Sequence, residues 1–124
     1  MRTFLLTTVA VGFLAACVTP VIPMPPPNPS LMQFNQVDPT KGEVLLSGDA
    51  GATQGGTLVF IFHPASGKGQ IIQAAQDGSF ASDPIKAAED DQLEIWSTRF
   101  EAESEPSSVV CILVRYQGIP ALCE

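Results

Sequence analysis

The sequence predicts an all-β chain whose folded part, residues 31–124, is a single β-sandwich of about seven strands. Three observations carry that prediction. From residue 31 onward the apolar residues fall in short runs rich in Val, Ile, Phe and Thr, the composition that suits a pleated, half-buried surface. Clusters of Gly, Pro, Asp and Ser separate these runs at near-regular intervals. No segment there repeats apolar residues at the three-to-four spacing of an amphipathic helix.

Two segments precede the sandwich. Residues 1–16 carry a positive Arg2 and then an uncharged apolar run over 4–16. That run is shorter than the roughly 20 residues a membrane span needs, and its layout is that of a secretory signal peptide. It ends in Leu14, Ala15, Ala16 and Cys17, which resembles the lipobox of bacterial lipoproteins. The resemblance implies cleavage before Cys17 and a diacylglycerol on its thiol. A plain signal peptide cut near the same alanines is the alternative. Several acyl chains, at about 0.8 kcal/mol per buried CH₂, hold a protein stably at a membrane. By the same family's sorting rule, Val18 rather than Asp after the cysteine implies the outer membrane. Residues 17–30 then form a tether, uncharged and dense in proline from Pro20 to Pro29. As extended polyproline II, at about 3.1 Å per residue, ten residues reach about 30 Å. Its place behind Cys17 fits a spacer better than a proline-rich ligand for a recognition domain.

Within the domain, strands are expected at 31–37, 43–47, 57–63, 70–76, 80–85, 92–100 and 107–116. Residues 48–56 make a Gly-rich turn between the second and third of these. The stretch PASGKG, residues 64–69, turns the third into the fourth. Asp77 and Gly78 reverse the chain into the fifth, glycine supplying the positive φ that such reversals use. Residues 87–91 form an acidic turn, and 101–106 a charged loop.

The stretch from Gly42 to Thr98 resembles the small immunoglobulin-like domains of bacterial surface proteins and adhesins. The matching residues are Gly48, Gly55, Gly56, Val59, Ile61, Gly67, Lys68, Asp77, Gly78, Ser79, Phe80, Leu93 and Ile95. Carboxypeptidase-regulatory-like domains share the Asp-Gly-x-Phe hairpin and are the nearest competing fold. The resemblance implies an immunoglobulin-like sandwich in which Phe80 plugs one end of the core and Val59, Ile61, Leu93 and Ile95 face inward. It implies little about activity, because this fold hosts many unrelated roles.

If those four residues face inward, strand alternation turns Phe60, Phe62, Trp96 and Phe100 outward. Phe60, Phe62 and Trp96 would then form a large apolar patch, the kind of surface that marks a binding site. A protein partner or a glycan stacked on the aromatic faces would suit it. Three arrangements would instead remove the patch: cover by the strand at 31–37, cover by the C-terminal tail with Ile119 and Leu122, or a register shifted by one residue.

Charge excludes other classes. Without Arg2 the chain keeps five basic residues against thirteen acidic ones, a net charge of −8. That argues against nucleic acid, whose phosphates are bound by Lys and Arg, and against direct attraction to anionic lipid headgroups. Of the cysteines, Cys111 and Cys123 remain after Cys17, and in an oxidising compartment such a pair forms a disulfide. It would staple the tail to the strand holding Cys111, whose apolar surroundings leave a thiol inert.

Enzymatic chemistry and cofactors find little support. His63 is the only histidine and is expected at a strand end on the surface, and no G-x-S-x-G elbow accompanies any serine. The Gly67-Lys68-Gly69 run lacks the spacing and the Ser or Thr of a phosphate-binding loop. The acidic groups Glu89, Asp90, Asp91 and Glu101, Glu103, Glu105 could supply oxygen ligands to Ca²⁺ but lack loop-type ligand spacing. The expected function is therefore non-enzymatic: an envelope lipoprotein presenting its domain for structural or adhesive contact with an envelope or surface protein. Carbohydrate binding through the outward aromatics is the alternative, as is service as an accessory domain of an envelope enzyme system.

Overall fold

The computed structural model describes residues 24–38, 40–99 and 105–123. Cys17, the signal segment, Phe100 and the acidic residues Glu101 and Glu103 lie outside them. Ten strands follow in order: β1 (Met32–Asp38), β2 (Glu43–Gly48), β3 (Leu58–His63), β4 (Lys68–Gln73), β5 (Phe80–Ala81), β6 (Ile85–Lys86), β7 (Gln92–Thr98), β8 (Val110–Leu113), β9 (Gln117–Gly118) and β10 (Ala121–Leu122). They form two antiparallel sheets. Sheet I runs β5-β2-β1-β9, with β6 also paired to β2, and sheet II runs β10-β8-β7-β3-β4.

Alternation along the strands builds the core. Met32 and Phe34 of β1 and Val44 and Leu46 of β2 point from sheet I into one cluster with Val59, Ile61, Leu93, Ile95 and Ile112 of sheet II. Each such side chain contributes about 1.5–3 kcal/mol when fully removed from water. Phe80 is buried at one end of this core, as the sequence implied. Its ring lies where a Cβ on Gly48 would otherwise stand, which explains glycine at the end of β2. Gly78 has φ +88°, and a Cβ there would run into the Thr53 carbonyl. The turn beside it is set by Asp77, whose Oδ1 accepts from the Ser79 N–H at 2.9 Å and hydroxyl at 2.6 Å.

Hairpins β3–β4 and β7–β8 lie in sheet II, and β1, β2 and the β5/β6 edge lie in sheet I. The chain crosses between layers after each of these units, which is the arrangement of an immunoglobulin-like sandwich. Two differences from the sequence expectation have local causes. The fifth strand is broken into β5 and β6, because the Ser82 hydroxyl accepts from Leu46 N–H at 2.8 Å and Pro84 has no N–H to donate. The last long strand begins at Val110 rather than 107, since the Ser107 hydroxyl takes the Ser97 N–H at 2.9 Å in place of a backbone carbonyl.

Both ends of the described chain are fastened. Met24 and Pro27 are buried, and Asn28 N–H donates to the Ala52 carbonyl at 2.7 Å. The proline-rich segment thus joins the domain from Met24 onward. At the other end, β9 pairs with β1 of sheet I and β10 pairs with β8 of sheet II. The tail therefore crosses one side of the sandwich. Cys111 and Cys123 end this crossing with their sulfurs at bonding distance and Cα atoms 5.4 Å apart.

Candidate functional site

The outer face of sheet II carries the aromatic residues. Val59, Ile61, Leu93 and Ile95 are buried in the core, so the neighbouring Phe60, Phe62 and Trp96 stand on the opposite face. Register makes them one surface. Phe60 faces Trp96 on β7 and Ile71 on β4, while Phe62 faces Glu94 and Gly69. The Phe60 and Trp96 rings stack with centroids 5.2 Å apart and planes 7° from parallel. At that separation the rings are offset, the arrangement their quadrupoles favour. Phe62 lies over Gly69, its Cδ1 3.4 Å from where a Cβ would be. A shallow depression of about 400 Å³ runs between Phe60, Phe62, Gly69, Ile71 and Trp96.

Neither covering arrangement occurs among the described residues. The strand at 32–38 belongs to sheet I, and Ile119 and Leu122 are themselves 65% and 61% exposed. The aromatics are half-buried through one another. Ile71, 59% exposed, extends their stripe to the edge of the sheet, where no further strand pairs with β4 among the described residues. Sequence reading expected the fourth strand at 70–76, whereas it runs Lys68–Gln73, and that reading missed Ile71. Carrying the alternation across the hairpin from Phe60 would have found it.

A second feature lies between the sheets. On the side where β4 and β6 form the edges, a cavity of about 470 Å³ is floored by Ile61, Ile85 and Leu93. His63 stands at one end. It occupies the last inward position of β3 and is only 7% exposed, which corrects the expectation of a surface residue. Its Nδ1 is 2.7 Å from the Ser66 hydroxyl and its Nε2 2.9 Å from Asp91 Oδ2. Asp91 also accepts the Ala88 N–H at 3.0 Å. That bond, and then His63, hold its carboxyl below the ordinary aspartate range. Sequence could not assemble this trio, because Asp91 lies in a loop 28 residues from His63.

Serine, histidine and aspartate in a line are the components of a nucleophilic triad. What a hydrolase also needs is donors aimed at a developing oxyanion. Here the Ser66 and Gly67 N–H groups both donate to the His63 carbonyl, at 3.3 and 2.9 Å. They are committed to the hairpin turn. The arrangement fastens the β3–β4 turn to the loop before β7.

The remaining candidates are placed simply. Asp90 pairs with Arg115, Glu89 and Glu105 are exposed, and no group of three or more metal-binding side chains occurs among the described residues. No protein-family model, curated protein or solved structure matches this chain.

Proposed function

We propose that the chain is a non-enzymatic lipoprotein of the bacterial cell envelope, anchored through Cys17 in the outer membrane. Its immunoglobulin-like sandwich serves structural or adhesive contact with an envelope or surface protein. One observation carries the reading: an apolar stripe of Trp96, Phe60 and Ile71 crosses three strands and ends at an edge strand. An exposed apolar patch on a chain this acidic has a cost in solubility that a binding role explains. An anchor at Cys17, close in sequence to the folded domain, keeps that domain near the membrane and within range of other anchored proteins. The ring geometry favours a protein over a glycan, since Phe60 and Trp96 already use one face each against the other.

Capture of crosslinked partners from intact cells tests the proposal. The Phe60→Ser, Trp96→Ser double variant should lose the partners that the unaltered chain captures while still folding. Unchanged capture by the folded variant would refute it.

A further inference from the structure

We infer that β4 pairs with the β4 of a second copy of this chain, antiparallel about a two-fold axis through Ile71. The contrast among the edges is the first reason. A free edge invites pairing, and proteins blunt the edges that stay single with short strands, proline or charge. The other edge strands here, β5, β6, β9 and β10, have two residues each. β4 has six, Lys68–Gln73, with no proline, no acidic residue and its one charge at the first position. In a chain of net charge −7, an edge strand without a carboxylate is one that two copies can share.

The direction of the backbone groups is the second reason. The Thr57 carbonyl accepts the Ala74 N–H at 2.8 Å, one step past the Leu58–Gln73 pair of the β3–β4 register. By the alternation of an antiparallel ladder, Ile72 and Gln70 also bond to β3. Gly69, Ile71 and Gln73 then turn their N–H and C=O groups to the open edge. All three residues are exposed, and none makes a backbone bond outside its sheet among the described residues. The Gln70 side chain is engaged elsewhere, in the cleft between β4 and β6, where it holds the Asp83 backbone.

The register is the third reason. Two copies of one strand keep their faces matched only when the axis passes through a residue, because side chains alternate with a period of two. An axis through Ile71 sets Gly69 opposite the partner's Gln73, Ile71 opposite its own copy, and Gln73 opposite the partner's Gly69. Every outward group of β4 then finds a bond, whereas an axis through Gln70 or Ile72 matches two of the three residues within the strand. Lys68 falls opposite Ala74, so no like charges meet. On the outer face Ile71, 59% exposed in the single chain, is covered by its copy, an apolar cross-strand pair of the kind that stabilises sheets. The two stripes of Trp96, Phe60 and Ile71 become one. This pairing goes beyond the contact proposed above, since the edge serves a second copy through its backbone and the aromatic face stays open.

Oxidative crosslinking of the full-length chain in the cells that make it tests the inference, with Ile71→Cys, with Gln73→Cys, and with the unaltered chain as the blank. Opposed residues of a hydrogen-bonded pair have Cα atoms about 5.5 Å apart, within disulfide reach. Position 73 lies about 14 Å from its own copy, four residues along the strand. Ile71→Cys should therefore give a species of twice the chain's mass on a non-reducing gel, and Gln73→Cys should not. Adding Gln73→Pro to Ile71→Cys removes two N–H groups that bond only across the axis, so the doubled species should fall about tenfold while circular dichroism shows the sheets intact. No doubled species, equal doubling from positions 71 and 73, or doubling indifferent to Gln73→Pro would overturn the inference. So would a link from position 71 to a different protein instead, which its mass distinguishes from a second copy and which would leave the contact of the aromatic face standing.

Discussion

The two sides of this sandwich are closed by different chemistry. On one, the chain itself crosses from β9 in sheet I to β10 in sheet II, and the Cys111–Cys123 pair locks the crossing. On the other, β4 and β6 stand apart, bridged by the Gln70 side chain on the Asp83 backbone, while the His63–Asp91 contact ties β3 to the loop before β7. The first closure is covalent and backbone-borne. The second has no covalent lock: the β4–β5 connection crosses at one end, a side-chain bridge stands beside it, and a cavity and, among the described residues, an unpaired edge remain. Stability and accessibility are thus assigned to opposite sides, and the apolar stripe of Trp96, Phe60 and Ile71 ends at the accessible one.

The largest effect should come from opening the closed side. Replacing Cys111 and Cys123 by Ser releases a loop with a sequence separation of 12, for which chain entropy predicts a loss of about 3 kcal/mol. Urea unfolding measures it. A loss well below 1 kcal/mol would mean that the backbone pairing of β10 alone holds the tail, and the contrast between the two sides would fail.

A smaller effect should come from the cleft side, and only in acid. Asp91 is lowered in the folded state, chiefly by the Ala88 N–H and then by His63. A lowered carboxyl contributes stability that is fully present above its unfolded pKa, about 3.9. That contribution is lost as pH falls through the folded value. The side chain is 30% exposed, so the contribution should stay below about 1 kcal/mol. Stability measured from pH 6 to pH 2 should therefore fall less steeply below about pH 4 in Asp91→Asn. An identical acid limb in the variant would show that the clamp does not hold this side.

The smallest effect lies between the sides. The Ser97 hydroxyl is fully buried with no hydrogen-bond partner. Ser97→Ala removes an unpaired polar atom, so stability should be unchanged or rise by up to about 1 kcal/mol. A loss above 1 kcal/mol would place Ser97 in a contact that the core packing does not reveal.

How much of this was legible in the sequence follows from how local each feature is. The resemblance implied the inward faces of Val59, Ile61, Leu93 and Ile95, and period-two alternation then turned Phe60, Phe62 and Trp96 outward. The Asp77 and Gly78 turn announced itself, and Phe80 beyond it found the core end. The two-residue strands β9 and β10 could not be read, because they are too short to carry a pattern and exist only through their partners in different sheets. The break between β5 and β6 depends on the Ser82 hydroxyl replacing a backbone bond and on Pro84 lacking an N–H. The cleft escaped for the same reason as the His63 clamp. Its walls come from β3, β4, β6 and β7, and nothing in any one segment marks them as neighbours.

The central claim is that contact is made at the β4 side and not at the closed side. A photo-crosslinking residue in place of Ile71, compared in intact cells with one in place of Ile119, tests it directly. Both positions are exposed, and they lie on opposite sides of the sandwich. The prediction is a discrete crosslinked species from position 71, absent from position 119 and lost when Phe60 and Trp96 are replaced by Ser. Crosslinking from 119 alone, equally from both positions, or from neither would contradict the account.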